Sequence, residues 1–226
     1  MISIVIPLYN ESKNILGLLS EIETNLKNYY EYEILLINDA SSDNTFDLID
    51  KIKNKKIKIL NNTINRGQSF SINYGIKESL YEIIITLDGD GQNDPADILK
   101  LLECYLLNDS VKLVGGIRNK RKDNLIKIFS SKIANYIRSR IFKDGCRDTG
   151  CSLKVFDKNV FLSFPFFDGI HRFLPTLFRG FGFETKFISV NHRSRKYGTS
   201  KYGTTSRLFK GIRDILKVII ILRKKN

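Results

Sequence analysis

Residues 82–95 read Glu-Ile-Ile-Ile-Thr-Leu-Asp-Gly-Asp-Gly-Gln-Asn-Asp-Pro, an apolar run that passes directly into an acidic, glycine-rich turn. The almost uninterrupted apolar character of 82–87 is typical of a strand that is covered on both faces of a parallel sheet. The turn holds two carboxylates, Asp88 and Asp90, with one glycine between them. Ligands of open parallel sheets bind at the carboxyl ends of the strands, so this turn predicts a functional site as well as a fold.

Around this stretch, strand and helix patterns alternate along the first half of the chain. The predicted strands cover 3–7, 32–38, 56–61, 82–87 and 111–117. The predicted helices cover 11–28, 43–53, 69–80, 95–107 and 124–142. This β-α-β alternation predicts a doubly wound, mostly parallel α/β sheet. The second half is less regular, and the phenylalanines of 156–187 are expected to be mostly core.

Charge is distributed unevenly along the chain. Its 226 residues include 37 Lys+Arg and 24 Asp+Glu, a net charge of +13. Residues 192–226 carry 11 of these cations and one acid, which is +10 and leaves +3 for the rest. This distribution argues against a polyanion binder that is basic all over and indicates a local basic segment. A nucleic-acid or anion-binding module driven by that segment stays an alternative, although regularly interleaved basic and aromatic residues are lacking.

Cysteine usage and the chain ends restrict the class of protein. The three cysteines and two histidines show no zinc-ligand spacing, which argues against a zinc site. The odd number of cysteines favours a reducing, cytosolic compartment over secretion. The N-terminus starts directly as a strand, so we expect no signal peptide. The apolar run 218–222 is far shorter than the roughly 20 residues that a membrane-spanning helix requires.

Polar clusters follow three of the predicted strands, at 7–11, 38–45 and 88–95. Each alone is compatible with a polar turn and a helix N-cap, for which Asp43 and Asp94 are suited. Three such clusters at one sheet edge favour a binding site. Asp88 and Asp90, with the amide oxygen of Gln92, form a donor set for Mg²⁺ or Mn²⁺ that suits a diphosphate leaving group. Neither a P-loop nor a G-x-G-x-x-G motif is present, which argues against ATP hydrolysis and hydride transfer.

At this point the motifs resemble a known family. The chain is similar to the family 2 glycosyltransferases of the GT-A fold, a Rossmann-like architecture, at 4–11 (Ile-Val-Ile-Pro-Leu-Tyr-Asn-Glu), 38–45, 65–67, 73–75 and 88–92. Within them it most resembles the polyprenyl-phosphate glycosyltransferases of the dolichyl-phosphate mannosyltransferase type, at 116–118, 148–151, 171–174 and 191–202. The resemblance extends from residue 2 to about residue 205. Asn38 departs from it, because many relatives have an aspartate there.

The resemblance implies a role for each matching residue. The nucleotide of the sugar donor would contact Pro7, Tyr9, Glu11, Asp39 and Asp88. The divalent metal would be held by Asp88, Asp90 and Gln92. Phosphates of the donor or of the acceptor would be bound by Arg118, Arg195 and Lys201, and the acceptor phosphate also by Lys127 and Ser131. Asp90, Arg118, Arg195 and Lys201 would therefore be the catalytic set.

The implied reaction is inverting transfer of a hexose from GDP-mannose or a UDP-sugar to dolichyl or undecaprenyl phosphate. A phosphate monoester is ionised at neutral pH and needs positive charge and orientation more than a strong base. Transfer to a saccharide acceptor by the same family is an alternative, and it would call for a carboxylate base. Arg195 and Lys201 could also lie in a solvated loop, and for His171 a packing or capping role is preferred.

The C-terminal residues 206–226 are expected to form a segment distinct from the catalytic domain, 1–205. Apolar residues recur there at helical spacing, at Leu208, Ile212, Ile215, Leu216, Ile219 and Leu222. Lysines and arginines fill the other face, which predicts an amphipathic helix on the cytoplasmic surface of an anionic membrane. Packing on the protein's own domain and docking to a small integral membrane protein remain alternatives.

Overall fold

The computed structural model describes residues 1–118, 138–195, 197 and 204–225, and gives side chains in the last of these segments for 211–225. Lys127, Ser131 and Lys201, three of the predicted phosphate-binding residues, lie outside the described residues. Most of the predicted helix 124–142 lies outside them as well.

Seven strands and eight α-helical segments are present in the described part of the chain. The strands are β1 (Ile2–Leu8), β2 (Tyr32–Asn38), β3 (Ile57–Asn61), β4 (Ile83–Thr86), β5 (Val111–Arg118), β6 (Lys154–Asp157) and β7 (Glu184–Val190). The helices are α1 (Ile15–Leu26), α2 (Thr45–Asp50), α3 (Gln68–Glu78), α4 (Asp97–Leu106), α5 (described over 138–142), α6 (Lys158–Leu162), α7 (Leu174–Gly180) and α8 (Thr204–Lys225). A 3₁₀ turn covers Ile170–Arg172.

The strands form one sheet in the order β3-β2-β1-β4-β6-β5-β7. β1 pairs in parallel with β2 and β4, β2 with β3, and β5 with β7. β6 alone runs antiparallel to its neighbours, β4 and β5. The expected mostly parallel α/β sheet is therefore confirmed.

Two of the seven strands have no counterpart among the predicted ones. β6 has only four residues, with a lysine and an aspartate at its ends, and β7 mixes polar and apolar residues as a half-exposed edge strand. Neither segment has the continuous apolar run that marks a buried strand. The five predicted strands are present, and predicted helix 11–28 is shorter because residues 11–14 belong to a loop that bonds to the loop after β2.

Alternate residues of the central strands enter two separate apolar cores. In β1, Ile4 and Ile6 point into a core shared with α1 and α4, whereas Val5 faces α3 on the other side. Helices thus cover both faces, which makes the sheet doubly wound. α3 lies close to the sheet: a Cβ added to Gly75 would be 2.6 Å from Cδ1 of Ile37, so only glycine fits there.

The second core is rich in phenylalanine, as the sequence predicts. Six of the ten phenylalanines in 156–187 are buried in it, namely Phe156, Phe161, Phe164, Phe167, Phe173 and Phe178. Several pack edge to face, with the ring centroids of Phe164 and Phe178 5.1 Å apart.

Over the residues whose side chains are described, 211–225, helix α8 packs against this phenylalanine-rich core with one face. Asp214 and Val218 are buried there, and the Arg172 Nη2 atom donates to Asp214 Oδ2 at 2.6 Å. Ile212, Leu216 and Ile220 follow one another at four-residue spacing on the outer face, each 51–56% exposed. The single apolar stripe expected from the sequence is therefore divided between an inner and an outer face. Within the described residues, no helix combines the length and the hydropathy that a membrane crossing requires.

Candidate active site

The loops that follow β1 and β2 are held together by side chains at the carboxyl edge of the sheet. Asn10, whose φ of 55° is left-handed, accepts from the backbone N–H of Ser42 at 2.7 Å. The backbone N–H of Glu11 donates to Thr45 Oγ1 at 2.8 Å. Glu11 is buried in this junction, whereas Pro7 and Tyr9 are half-buried beside it. The structure thus brings the predicted nucleotide-binding residues of the first loop to one place.

Asp39, the predicted nucleotide-binding residue that follows β2, already has hydrogen-bond partners within the protein. Its buried carboxylate accepts from the backbone N–H groups of Arg66 and Gly67 and from Asn62 Nδ2, all at 2.8 Å. These bonds fix the loop that leads into α3. The neighbouring Asn38 donates to Asn61 Oδ1 at 2.6 Å, so the amide has a structural partner of its own.

The turn after β4 brings its two carboxylates to the same edge of the sheet as the first two loops, and the region between these loops is hereafter called the cleft. An added Cβ at Gly89 would clash with Leu8, and Gly91 has a φ of 71°, so both positions require glycine. Asp88 Oδ1 accepts from Gln68 Nε2 at 2.7 Å. Asp90 Oδ1 accepts from the backbone N–H of Gln92 at 3.0 Å.

The electrostatics of this pair suit a divalent cation. Burial and then the negative charge of Asp90 raise the pKa of Asp88 to about 6. Both causes disfavour the ionised form of Asp88, so a positive charge bound beside it would stabilise the carboxylate. Mg²⁺ or Mn²⁺ would supply that charge, and the oxygen donors are of the type that these ions prefer. Asp88 and Asp90 therefore fit the expected metal, whereas Gln92 donates its Nε2 hydrogen to the carbonyl oxygen of Arg193 at 3.2 Å.

The segment 191–195 lies along this acidic turn and brings Arg195 to it. The backbone N–H of Arg193 donates to the carbonyl of Gln92 at 2.9 Å. The guanidinium of Arg193 also pairs with Asp94 at 2.8 Å and with Glu21 at 2.5 Å. At the end of the segment, Arg195 Nη2 donates to Asp90 Oδ2. A predicted phosphate ligand is thus paired with a predicted metal ligand.

Arg118 reaches the same cleft from the carboxyl end of β5. Its guanidinium forms a two-point ion pair with Asp148, through Nε and Nη2, each at 2.7 Å. β4 and β5 both pair with the antiparallel β6, so Asp88 and Arg118 follow strand ends at the same edge of the sheet, and the positive charge of Arg118 lowers the pKa of Asp88.

Several neighbours of the acidic turn have no role in the sequence-based predictions. Ser152 Oγ donates at 2.6 Å to Asn93 Oδ1, which also accepts from the backbone N–H of Asp88, and the ammonium of the buried Lys154 lowers the pKa of Asp88. Lys154 begins β6, the antiparallel strand that the apolar pattern does not predict, and Ser152 precedes this strand by two residues. Gln68 follows the motif at 65–67 directly, and that position is the one signal that could have indicated it.

His171 lies next to the N-terminal turn of α3. Its Nδ1 atom is 2.7 Å from Ser69 Oγ, which also accepts from the backbone N–H of Gly169 at 2.7 Å. This contact supports the preferred packing role.

Comparison with known proteins identifies relatives over almost the whole chain. A family model described as glycosyl transferase family 2 matches residues 3–163. The chain is 32% identical over 231 residues to a dodecaprenyl-phosphate galacturonate synthase of Rhizobium johnstonii, covering 99% of this chain and 68% of the relative. It is 34% identical over 221 residues to an undecaprenyl-phosphate 4-deoxy-4-formamido-L-arabinose transferase of Pseudomonas fluorescens, covering 95% and 63%. The chain thus spans about two thirds of the length of these relatives.

Solved structures show the same architecture. A glucosyl-3-phosphoglycerate synthase of Mycobacterium tuberculosis, in complex with Mn²⁺, UDP and glucosyl-3-phosphoglycerate, superposes with a TM-score of 0.75 at 14% identity, covering 98% of this chain and 79% of that one. A mannosyl-3-phosphoglycerate synthase of Rubrobacter xylanophilus gives 0.73 at 14% identity, covering 100% and 74%. At such identities the likeness shows the fold alone, and it confirms the expected GT-A architecture.

Proposed function

Since the chain belongs to glycosyl transferase family 2, we propose that it transfers a hexose from a nucleotide diphosphate sugar to a polyprenyl phosphate, with inversion at the anomeric carbon. The observation that carries the proposal is the convergence of Asp88, Asp90, Arg118 and Arg195 at one edge of the sheet. Two carboxylates for a metal and two arginines for phosphates are what a reaction between a diphosphate and a phosphate requires. The names of both relatives place a polyprenyl phosphate in their reactions.

On the donor side, Asp88 and Asp90 would hold Mg²⁺ or Mn²⁺, with Gln92 beside them. When bound, the metal supplies positive charge to the diphosphate as it leaves. The junction of the first two loops, with Pro7, Tyr9 and Glu11, lies at the same edge and would contact the nucleotide. The solved synthase that contains Mn²⁺ and UDP has the same fold and supports this assignment.

On the acceptor side, the lipid phosphate would attack the anomeric carbon through an ionised oxygen. Arg118 and Arg195 would bind this phosphate or the diphosphate and hold the two groups close despite their like charges. Lys127, Ser131 and Lys201 stay proposed ligands of the acceptor phosphate.

Transfer to a saccharide hydroxyl, the alternative within the family, would need a carboxylate base. Around the described part of the cleft, Asp88 and Asp90 are assigned to the metal, and both oxygens of Asp148 accept from Arg118. The carboxylates of the cleft are therefore already engaged, which favours a phosphate acceptor.

The acceptor is a lipid, so we place the enzyme at the cytoplasmic face of a membrane as a peripheral protein. The outer face of α8, with Ile212, Leu216 and Ile220, would contact the lipid surface or a small integral membrane protein. Residues 206–226 would then be the docking segment of the catalytic domain, 1–205.

The test is a transfer assay with radiolabelled UDP-sugars and GDP-mannose, Mg²⁺ or Mn²⁺, and undecaprenyl or dolichyl phosphate, scored by organic extraction of the product. We expect metal-dependent label in the organic phase with one of the donors. Asp90→Asn should reduce the rate by about 100-fold or more, because the metal loses a carboxylate at the leaving group. Asp109→Asn, a change on the surface, is the matched control. Undiminished transfer by the folded Asp90→Asn variant would refute the metal assignment.

A further inference from the structure

Asp148 lies 30 residues from Arg118 in the sequence and forms three hydrogen bonds with it. The Arg118 backbone N–H donates to Oδ2 at 3.2 Å, Nε donates to the same oxygen at 2.7 Å, and Nη2 donates to Oδ1 at 2.7 Å. The carboxylate therefore fixes the backbone at the end of β5 and the plane of the guanidinium at the same time. Because the planar guanidinium is held through two hydrogen bonds, any rotation of its plane would break at least one of them.

The surroundings of the pair reinforce this geometry. The side chains of Arg118 and Asp148 are only 12% and 7% exposed. A Cβ added to Gly150 would lie 2.9 Å from Arg118 Nη2, so a side chain at this position would displace the guanidinium. The turn 148–150 thus binds the Arg118 guanidinium through a carboxylate and packs closely against it.

The acidic turn is a competing partner for Arg118, so the arginine needs a carboxylate of its own. β4, which leads into Asp88 and Asp90, and β5, which ends at Arg118, both pair with β6, so the three side chains lie at the same edge of the sheet. A long, charged side chain without Asp148 would be drawn to those two carboxylates and would occupy the metal position. Two of the five guanidinium N–H groups are used by the side chain of Asp148, which orients the others.

We propose that Asp148 is a positioning residue, which holds Arg118 away from the metal-binding carboxylates and directs it to a substrate phosphate. The inference rests on the proposed function and deepens it. The phosphate belongs either to the lipid acceptor or to the diphosphate of the donor, and both present the same chemistry to a guanidinium.

The central experiment is a double-mutant cycle on transfer kinetics, with Arg118→Gln, Asp148→Asn and the combined variant. We expect each single change to lower kcat/KM on the order of tenfold to 100-fold, since Arg118→Gln removes the charge that Asp148→Asn misplaces. The combined variant should be no worse than Arg118→Gln alone, and Asp148→Glu should recover part of the loss. Glu78→Gln, which breaks the exposed ion pair with Lys58, is the control and should leave kcat/KM unchanged.

Two further measurements keep the test informative if Asp148→Asn folds poorly. Gly150→Ala retains the carboxylate but crowds Nη2, so it should lower kcat/KM in a protein with unchanged thermal stability. Titration calorimetry with UDP and, separately, with farnesyl phosphate identifies the phosphate, because only the probe that Arg118 contacts should bind more weakly to Asp148→Asn or Gly150→Ala.

The outcomes separate this inference from the proposed function. Active wild-type enzyme with multiplicative losses in the cycle, or with full activity of Gly150→Ala, would overturn the positioning role and leave the transferase intact. A wild-type protein that transfers no sugar and binds neither probe would overturn both.

Discussion

At the scale of single residues, each of the two predicted phosphate-binding arginines in the cleft forms an ion pair with a carboxylate. Asp148 takes Arg118 with both oxygens, whereas Asp90 takes Arg195 with one. The first pair is almost buried, and the Arg195 side chain is 25% exposed. The second pair is therefore the exchangeable one, and a metal that binds Asp90 must displace Arg195.

This competition predicts that Arg195→Gln binds Mn²⁺ more tightly than the wild type in the absence of nucleotide. A partly exposed ion pair is worth about 0.5–1 kcal/mol, so its removal should lower the dissociation constant about twofold to fivefold. Titration calorimetry or the electron paramagnetic resonance of free Mn²⁺ measures this constant. Arg179→Gln, on the exposed end of α7, is the matched control. Equal or weaker binding by Arg195→Gln would contradict the competition.

The raised pKa of Asp88 predicts a pH-dependent stability of the metal-free protein. Folding raises this pKa from its ordinary value of 3.8 to about 6, so the native state binds the proton more tightly than the unfolded chain. The stability that protonated Asp88 contributes is present below pH 3.8 and is lost as the pH rises through about 6.

Asp88→Asn mimics the protonated acid and should therefore gain stability over the wild type between pH 4 and pH 7. The difference in free energy of unfolding should be near zero at about pH 4 and constant above about pH 7. Urea denaturation in the presence of EDTA measures it, with the exposed Asp109→Asn as the control. A pH-independent difference would show that the carboxyl group titrates normally in the fold.

At the scale of elements, α8 has two apolar faces with different surroundings. The inner face contributes Asp214 and Val218 to the protein interior, and Leu222 packs against Gly180 of α7. The outer face exposes three large aliphatic side chains in one row. Deleting 206–226 would remove both faces together, so substitutions on the outer face alone are the sharper probe of membrane contact.

The triple variant Ile212→Ser, Leu216→Ser, Ile220→Ser should bind anionic vesicles at least about tenfold more weakly than the wild type, because it loses the apolar area that would enter the lipid interface. Its thermal stability should be unchanged, since all three side chains are already more than half exposed. Co-sedimentation with vesicles of phosphatidylglycerol and phosphatidylcholine measures binding. Leu106→Ser, Leu107→Ser, at the end of α4, is the matched control. Equal binding of the triple variant would exclude this face as the contact.

At the scale of the whole molecule, one sheet separates two apolar cores, and α8 closes the second. Val218 is fully buried in the same core as Phe178 and Phe156, although the residues lie in different segments of the chain. The helix is therefore expected to unfold together with residues 1–205, even if its outer face contacts a membrane.

Val218→Ala tests this cooperativity. The cavity should lower the free energy of unfolding of the whole chain by about 2 kcal/mol, in a single urea transition with an unchanged slope. Far-ultraviolet circular dichroism follows the transition, and Arg213→Ala on the exposed side of α8 is the control. A main transition that does not move would mean that α8 unfolds on its own.

Much of the fold, and the acidic half of the site with Asp88 and Asp90, can be predicted from local sequence. The strands β1, β2 and β4 each contain at least three consecutive aliphatic residues, and Asp88 and Asp90 follow β4 directly in the sequence. Strand pairing and the carboxyl-edge rule need no knowledge of distant contacts. The family and the mostly parallel sheet were therefore within reach of the sequence.

Only the tertiary structure decided which charges meet. Arg118 and Asp148 are 30 residues apart, and Asp90 and Arg195 are 105 residues apart, so no periodicity connects them. Lys154 begins the strand β6, which is short and polar at both ends, and Ser152 lies just before it. The two faces of α8 look alike in the sequence until one of them is buried. Local patterns specify elements because neighbours in sequence determine them, whereas the pairing of charges depends on where the packed sheet places the ends of its strands.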